Sequence, residues 1–498
     1  MQFNSIDFMM FFPVVVAIYY IIPHKFRAYW LLVSSYVFYM SWNTKYALLI
    51  GFSTIITYLG GLALSVLTSN ESEKNRRLIV MIMCISINLG ILALFKYVNF
   101  GISNINRILS ILGFSTIEKR FELLLPVGIS FYTFQALGYL VDVYRGDIKA
   151  EKNLFRYALF VSFFPQLVAG PIERSRNLLL QMNDIEHIKL WNARRVASGA
   201  ILMIWGLFMK MVIADRASIL VDTVFDNYLL YGGTELVIAA LLFAIQIYCD
   251  FGSYSLIAIG AAQIMGFELM ENFNTPYFAE NIRDFWNRWH ISLSTWFRDY
   301  LYIPLGGNRN GRIKKYINII IVFLVSGLWH GAAWNYVAWG GLHGLYQVIG
   351  ELMSSYKERA RMILRIKTDC FSWKFLKMLA TFVMVVFAWI FFRSDSITDA
   401  LRIIKRILTK PTPWVFFNGE LYNLGLDRNE WNILAISIVI LFLVDLIRII
   451  KGMTIDGFLF SQNIWFEWMV IIALIMMILT FGEYGSMFDG KQFIYFQF

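Results

Sequence analysis

Two histidines are the residues of this chain whose settings point most directly to chemistry. His330 interrupts an apolar run that begins at about Tyr316, after the charged Lys315, and continues past Gly341. Because an imidazole at bilayer depth carries a desolvation cost, an ionisable side chain there indicates a functional site. His290 ends the crowded string RDFWNRWH, and the chain has only five histidines. This placement predicts acid–base chemistry in a membrane.

A structural role for His330 stays open, because a lone histidine in a spanning helix can simply hydrogen-bond a neighbouring helix. Gly327 and Gly331 flank it at a spacing that lets helices approach closely, as around a narrow reaction channel. Trp334 follows one turn later and could shape such a channel. His343 lies about 220° around a straight helix from His330, so we expect it to point elsewhere.

Two further interruptions of the apolar pattern leave alternatives open. Pro165 and Pro171, with Gly170, end one apolar run and predict either a plain helix end or a broken helix lining a substrate cavity. Asp250 lies between long apolar stretches, where an unpaired carboxylate would be expensive. We expect Asp250 to face the protein interior or to accept hydrogen bonds from tyrosine or serine hydroxyls, in a structural or a site role.

The segment 281–311 is expected to be the polar centre of the molecule. Its spacing predicts an ion-pair cluster of Asp284 and Arg288 within one or two helical turns of His290. The glycine-rich, basic end of the segment, 305–311, could hold the phosphates of a bulky acyl donor. A cytoplasmic anchor loop explains the same composition equally well.

Composition predicts an all-α, polytopic integral membrane protein. Of 498 residues, 58% are hydrophobic and 16% are charged, against about 25% charged in an average soluble domain. That much apolar surface requires lipid as its solvent, and we expect roughly 11 transmembrane helices. Shorter apolar pieces at 28–41, 98–113 and 291–305 are expected to be re-entrant or interfacial. The spanning stretches are 7–23, 46–68, 78–97, 123–143, 155–170, 197–214, 235–265, 316–350, 377–392, 432–447 and 464–481.

The net charge of +10 is explained by membrane topology, because its basic residues cluster in short loops that stay in the cytoplasm. Lys25 and Arg27 follow the first span, and Arg448 and Lys451 precede the last, so both termini are expected to be extracytoplasmic. Contact with anionic membrane lipids accounts for the remaining basicity, and nucleic-acid binding is not expected. The three cysteines lack metal-ligand spacing, so neither disulfides nor a metal site is predicted.

Four strings of the chain resemble one family, namely FFPQLVAGPIER, QIYCDFGSYSLIAIG, FWNRWHISLSTWFRDYLYIPLGGNR and LVSGLWHGAAWNYVAWGGLHG. They are similar to the membrane-bound O-acyltransferases, and more narrowly to the bacterial branch that acylates cell-envelope polymers such as alginate. The resemblance runs nearly from end to end. It implies a single membrane domain, 1–498, with its core at about 120–350 and its helices around a central tunnel. The implied location is a bacterial inner or plasma membrane.

The resemblance also implies roles for particular residues. His330 would be the catalytic residue, and His290 a second functional position near the cytoplasmic donor entrance. The other positions expected to bind substrate or donor, or to line the tunnel, are Trp334, Asn335, Asp250, Arg288 and Arg298. The donor would be acetyl-CoA or an acyl-carrier thioester, with no bound cofactor or metal. A neutral imidazole suits this chemistry, because it can take a hydroxyl proton during attack on a thioester.

The aromatic tail, 491–498, contains the segment QFIYFQF and resembles a motif proposed in this branch to carry the acyl group on its tyrosine. Tyr495 would accept that group, with His330 as the base, and pass it to an extracytoplasmic partner such as an SGNH-type acetyltransferase. A polysaccharide would be the final acceptor. A phenol with a pKa near 10 needs such a base at neutral pH. Composition alone favours an aromatic interfacial anchor.

Three functions are therefore weighed. The preferred one moves an acetyl group across the membrane for O-acetylation of an extracellular or cell-wall polysaccharide. D-alanyl transfer to teichoic acid, which other members of this branch perform, is an alternative. A transporter or channel would also contain broken helices and buried polar residues, but no inverted repeat is visible. The histidine pair and the resemblance favour the enzyme.

Overall fold

The computed structural model describes residues 1–67, 71–118, 121, 125–484 and 493. Within these residues the chain is helical and contains no β-strand, which confirms the all-α prediction. The helices are α1 Ile6–Ile21, α2 Arg27–Met40, α3 Tyr46–Val66, α4 Glu71–Lys96, α5 Val98–Ile111, α6 Ile129–Arg145, α7 Leu154–Ser162, α8 Phe164–Leu167, α9 Leu180–Asn183, α10 Ala193–Phe208, α11 Asp215–Asp226, α12 Gly233–Ile264, α13 Ile282–Arg288, α14 Ile291–Phe297, α15 Gly311–His330, α16 Trp334–Leu352, α17 Ser354–Ile363, α18 Phe371–Arg393, α19 Ile397–Thr409, α20 Arg428–Lys451, α21 Ile455–Phe460 and α22 Ile464–Phe481.

Eight helical stretches in the described part of the chain are long and apolar enough to cross a membrane, so the protein is a multi-pass membrane protein. They are Tyr46–Val66, Glu73–Lys96, Ala193–Asp226, Gly233–Ile264, Gly311–His330, Phe371–Arg393, Arg428–Lys451 and Ile464–Phe481. The helix Ile6–Ile21 is apolar but shorter. The described residues thus contain fewer long spans than the roughly 11 expected, because some apolar stretches are divided between shorter helices.

Two of the expected spans are broken. The stretch 155–170 contains α7, which ends at Ser162, and the single turn α8. Proline at the second position of α8 is tolerated, because the first turn of a helix has no partner for its N–H groups. The stretch 316–350 contains both α15 and α16, separated by extended backbone at Gly331 and Ala333. The prolines of the first stretch had predicted a helix end or a break there. Hydropathy did not reveal the second break, because its residues are apolar or small.

The contacts group the chain into two compact units, 1–200 with 257–270 (unit 1) and 201–256 with 271–498 (unit 2). In unit 1, α3 packs on α4 and α6, and α2 packs on α7. Its buried polar side chains pair internally: Tyr157 donates to Thr57 Oγ1 at 2.7 Å, and Gln135 donates to the Phe160 carbonyl oxygen at 2.7 Å. Such pairing is required where water cannot solvate the polar group.

In unit 2, α15 and α16 pack closely as an antiparallel hairpin, and α16 also contacts α13, α18 and α19. Glycines make the approach possible. A Cβ atom on Gly327 would lie 2.3 Å from the carbonyl oxygen of Tyr336, and one on Gly340 would lie 2.2 Å from that of Phe323. Gly327 therefore serves close helix contact, as its spacing predicted, whereas Gly331 lies in the extended break after α15.

Candidate active site

His330 is the last residue of α15 and is buried, with 2% of its surface exposed. The helix ends there because Gly331 is extended, with φ at −158°. Nδ1 of His330 lies 2.7 Å from the carbonyl oxygen of Ser326, one turn earlier. Since a carbonyl oxygen only accepts, Nδ1 carries the hydrogen, and Nε2 is the basic nitrogen of the neutral ring.

His290 is fully buried at the N-terminus of α14 and has a left-handed backbone, with φ at +45°. A residue other than glycine rarely adopts this conformation, so the neighbouring contacts must hold it. They do so on its C-terminal side: Ile291 donates its N–H to the Asn272 carbonyl oxygen at 3.0 Å, and Ser292 Oγ donates to Asn272 Oδ1 at 2.9 Å. These contacts fix the main chain from which the His290 side chain projects.

The two histidines predicted to act together lie together in unit 2. The centroids of the His290 and His330 rings are 6.3 Å apart, at an interplanar angle of 77°. Aromatic rings surround them: Phe251 is 4.6 Å from His290, Trp329 is 5.0 Å from His330, and Trp339 is 4.8 Å from His330. These rings limit the access of water to both histidines.

His343 belongs to the same cluster, so the expectation that it points elsewhere was wrong. The expectation assumed one continuous helix, whereas α16 begins after the break and runs back along α15. The ring of Trp339 lies 4.8 Å from His330 and 5.2 Å from His343. Trp286 Nε1 donates to His343 Nδ1 at 3.2 Å, so the hydrogen of this neutral ring is on Nε2, the opposite tautomer to His330.

A cavity of about 790 Å³ lies beside this cluster, between α13, α14, α15 and α16. Its inner wall includes Trp286, Phe323 and Ser326, and Ser326 is the residue whose carbonyl oxygen holds His330. Neither His290 nor His330 is among the residues that line it. The basic lining residues are Arg283, Arg298, Lys315 and Lys357. Glu351, the one acidic residue among the described residues of the lining, pairs with Lys315 at 2.5 Å, so the lining has an aromatic wall and an excess of basic side chains.

The residues expected to bind substrate or donor differ in whether they line the cavity. Arg298 lines the cavity and pairs with the adjacent Asp299 at 2.8 Å. Arg288 forms the predicted ion pair with Asp284 at 2.9 Å and is not among the lining residues. Trp334 opens α16 and is 52% exposed. Because it lies beyond the helix break, it is not one turn further along the helix of His330, as the sequence had suggested.

Asn335 and Asp250 both make hydrogen bonds to other segments of unit 2. Asn335 is buried and donates to the carbonyl oxygen of Ser394 at 2.7 Å, which ties the start of α16 to the end of α18. Asp250 is buried, as expected; its carboxylate accepts from Lys210 Nζ at 2.5 Å, and its main-chain carbonyl oxygen accepts from Ser253 Oγ at 2.7 Å. Tyr495 lies outside the described residues.

The ion-pair network around Lys210 was missed by the sequence reasoning. Lys210 is buried and its Nζ lies 2.9 Å from Asp215 as well as 2.5 Å from Asp250. A lysine in an apolar stretch such as 197–214 is expensive without a carboxylate partner, so its position could have signalled the pair. Its partner on α12, forty residues away, could not be identified from spacing.

In unit 1, the string FFPQLVAGPIER contains Glu173, whose carboxyl group has an unusual pKa. Burial raises the pKa of Glu173 to about 7. Its oxygens accept from Met270 N at 2.5 Å and Asn177 Nδ2 at 2.8 Å, which connects the loop after α8 to the segment after α12. These contacts give the string a structural role in holding unit 1 together.

Comparisons with known proteins match this architecture. The model of a family described as MBOAT, membrane-bound O-acyltransferase family, matches residues 149–394, which include both central histidines. The chain is 38% identical over 410 residues to a probable alginate O-acetylase of Pseudomonas aeruginosa, covering 82% of this chain and 75% of that protein. It is 35% identical over 404 residues to a peptidoglycan O-acetyltransferase of Helicobacter pylori, covering 76% and 73%. A teichoic acid D-alanyltransferase of Bacillus subtilis is 30% identical over 241 residues, covering 46% and 58%.

Proposed function

Because the chain belongs to the membrane-bound O-acyltransferase family and is an O-acyltransferase, we propose that it moves an acetyl group from a cytoplasmic thioester donor across the membrane. The group serves O-acetylation of an extracellular or cell-wall polysaccharide. The relatives named for O-acetylation of alginate and of peptidoglycan support this choice. D-alanyl transfer is less well supported, since the D-alanyltransferase relative aligns with 46% of the chain.

The observation that carries the proposal is the basic Nε2 of His330, set in an aromatic cluster beside His290. In the proposed step, Nε2 takes the proton of an acceptor hydroxyl while the oxygen forms a bond to the thioester carbonyl carbon. The carbon–sulfur bond then breaks, and the thiolate leaving group takes up the proton from His330. General base catalysis of this kind contributes about 10²- to 10⁴-fold to a rate. His290 would orient the acyl group from the other side of the cluster.

The positive side chains of the cavity suit a donor that carries phosphate. Acetyl-CoA and the phosphopantetheine arm of an acyl carrier share this chemistry, so either would be attracted to Arg283, Arg298 and Lys315. In the proposed complex the thioester reaches His330 past Trp286 and Phe323, whose side chains would have to move. Arg288, Trp334, Asn335 and Asp250 then support the site without touching the donor.

The acceptor hydroxyl is proposed to be that of Tyr495. Phe493, two residues earlier, is buried with 3% exposed, and its ring lies 5.8 Å from Phe251, which is itself 4.6 Å from His290. This supports delivery of the tail to the histidine cluster. The acylated tyrosine would pass its group to an extracytoplasmic SGNH-type partner, with both termini of the chain outside a bacterial inner or plasma membrane.

Replacement of a histidine tests the proposal directly. In membranes supplied with a radiolabelled acetyl thioester, His330→Ala is expected to abolish label transfer to the protein and to the polymer. His187→Ala is the matched control, because His187 is exposed. Among the described residues, its side chain pairs only with Asp184, three residues earlier. Transfer by His330→Ala at the parental rate would refute the assignment.

A further inference from the structure

The segment that follows the last helix of unit 2 is anchored to α11. Arg216 is buried, and its guanidinium donates to the Phe481 carbonyl oxygen at 2.8 Å and to Glu483 Oε1 at 2.7 Å. Glu483 in turn donates its N–H to the carbonyl oxygen of Met211 at 2.9 Å. Charge-assisted hydrogen bonds are among the strong ones, so these contacts fix where the chain leaves α22.

The anchor is built on a π-helical segment, Met209–Ala214, between α10 and α11. Such a segment interrupts the regular ladder of helical hydrogen bonds and is frequent at functional sites. It packs against α20 and α22, and Met211 within it supplies the carbonyl oxygen that Glu483 uses. Lys210, in the same segment, reaches the carboxylates of Asp215 and Asp250.

The same segment is linked to the histidine cluster through α12. Asp250, the partner of Lys210, directly precedes Phe251, whose ring lies against His290. Phe251 and Tyr254 also hold Phe493, at centroid distances of 5.8 Å and 5.0 Å. Two points of the chain after α22, Glu483 and Phe493, are therefore both bound to unit 2, the second beside His290.

We propose that Arg216 and Glu483 are positioning residues, which hold the start of the C-terminal segment so that Phe493 seats against Phe251 and Tyr254. This inference rests on the proposed function, in which Tyr495 accepts the acyl group. The Arg216–Glu483 pair fixes the chain two residues beyond the end of α22, which shortens the covalent tether to Tyr495. A shorter tether raises the effective concentration of a reactive group at its target, which here is the phenol at the histidine cluster.

Charge is essential to the anchor. Glu483 neutralises a guanidinium whose side chain is 5% exposed, and removal of one partner of such a pair leaves an uncompensated buried charge. Glu483→Gln keeps the shape and one acceptor oxygen but loses the negative charge. Glu483→Asp keeps the charge on a shorter side chain. The two variants therefore separate the ion pair from simple filling of space.

Docking of the tail can be measured without activity. A photo-reactive benzoylphenylalanine replaces Phe493 in the full chain in membranes, and the adduct is located by mass spectrometry. We expect adducts on the peptide that contains Phe251 and Tyr254. Glu483→Gln is expected to reduce their yield, and the rate of acyl transfer without the photo-reactive group, by about tenfold each. Glu483→Asp should retain most of both.

Two comparisons make the result decisive. Glu420→Gln, the same change at an exposed position in the short 3₁₀ helix Glu420–Asn423, should leave adduct yield and acyl transfer unchanged. Tyr495→Phe should abolish acyl transfer and leave the adduct yield intact, because it removes the phenol but not the anchor. Loss of the adduct in Glu483→Gln together with full activity of Tyr495→Phe would support the anchor and reject the acyl-carrying tyrosine. The inference would be overturned if Glu483→Gln kept the adduct yield of the parent. It would also be overturned if the parent formed its adducts on peptides other than the one that contains Phe251 and Tyr254.

Discussion

The carbonyl oxygen of Ser326 accepts a hydrogen bond from Nδ1 of His330 at 2.7 Å, while Ser326 itself lines the cavity. This one contact selects the tautomer, because it places the hydrogen on Nδ1 and leaves Nε2 as the base. It also orients the ring by main-chain geometry, which no side-chain substitution at Ser326 removes. The structural role of His330 in this contact can therefore be separated from its proposed role as the base.

His330→Asn makes that separation. An asparagine amide can still donate to the Ser326 carbonyl oxygen, but it offers no basic nitrogen at the position of Nε2. We expect the melting temperature in detergent to stay near that of the parent and the rate of acyl transfer to fall by about 10²-fold or more. Retention of more than about a tenth of the parental rate would contradict a general base at His330.

For Tyr495, substitution by phenylalanine keeps the ring and removes only the hydroxyl. If the tyrosine carries the acyl group, Tyr495→Phe is expected to lose both polymer acetylation and acetyl label on the C-terminal peptide, measured by mass spectrometry. Tyr484→Phe is the control, since that exposed residue hydrogen-bonds locally to the Leu479 carbonyl oxygen. Full polymer acetylation by Tyr495→Phe would leave the motif as an interfacial anchor.

Gly340→Ala tests the close contact between α15 and α16. The added Cβ would lie 2.2 Å from the Phe323 carbonyl oxygen, so the helices must separate, and we expect a loss of about 1–3 kcal/mol of stability. Gly341→Ala is the matched control, because the atom nearest to a Cβ there is Cδ2 of the flexible Leu324 side chain, at 3.4 Å. Thermal unfolding of both variants in detergent provides the measurement, and equal melting temperatures would refute the argument.

The cavity is tested with Arg298, which lines it, and Arg309, which does not. If the cavity binds the phosphates of the donor, Arg298→Gln is expected to raise the KM for the thioester by about 5- to 10-fold with a smaller change in kcat. The difference should shrink at high salt, because exposed charges are screened. Arg309→Gln should have the KM of the parent, and an equal rise in both variants would indicate only a general effect of charge.

Glu173 predicts a pH dependence of stability. Its pKa is raised from an ordinary 4.5 to about 7, so between these values the folded chain holds a proton that the unfolded chain has lost. Stability is therefore expected to fall as the pH rises through this window, and the loss is complete above about pH 7. Glu173→Gln cannot lose that proton and should show a flatter profile, with a higher melting temperature than the parent at about pH 8.

Scanning fluorimetry across this range checks the pH prediction. Glu186→Gln serves as its control, because that partly exposed carboxylate pairs with Arg156 at 3.2 Å. We expect the profile of Glu186→Gln to follow that of the parent. A parental slope in Glu173→Gln would place the origin of the pH dependence in another group.

Much of the architecture follows from hydropathy. A chain this apolar must be solvated by lipid, and its backbone N–H and C=O groups must therefore hydrogen-bond to each other within helices. The strings around His290 and His330 could likewise be identified from the sequence, because each places an ionisable side chain where desolvation costs free energy. The number of spans was harder to predict, since a break at Gly331–Ala333 is composed of apolar and small residues that continue the pattern of a helix.

Only the tertiary structure decided which of these residues meet. The 6.3 Å approach of His290 to His330, the return of His343 to the same cluster and the pairing of Lys210 with Asp250 each join separate segments of the chain. Spacing along a helix fixes neighbours within one or two turns, but contacts between helices depend on how their surfaces pack. For that reason the sequence alone indicated the candidate base, a main-chain contact within α15 set its tautomer, and packing between helices determined its neighbours and the positions of Glu483 and Phe493.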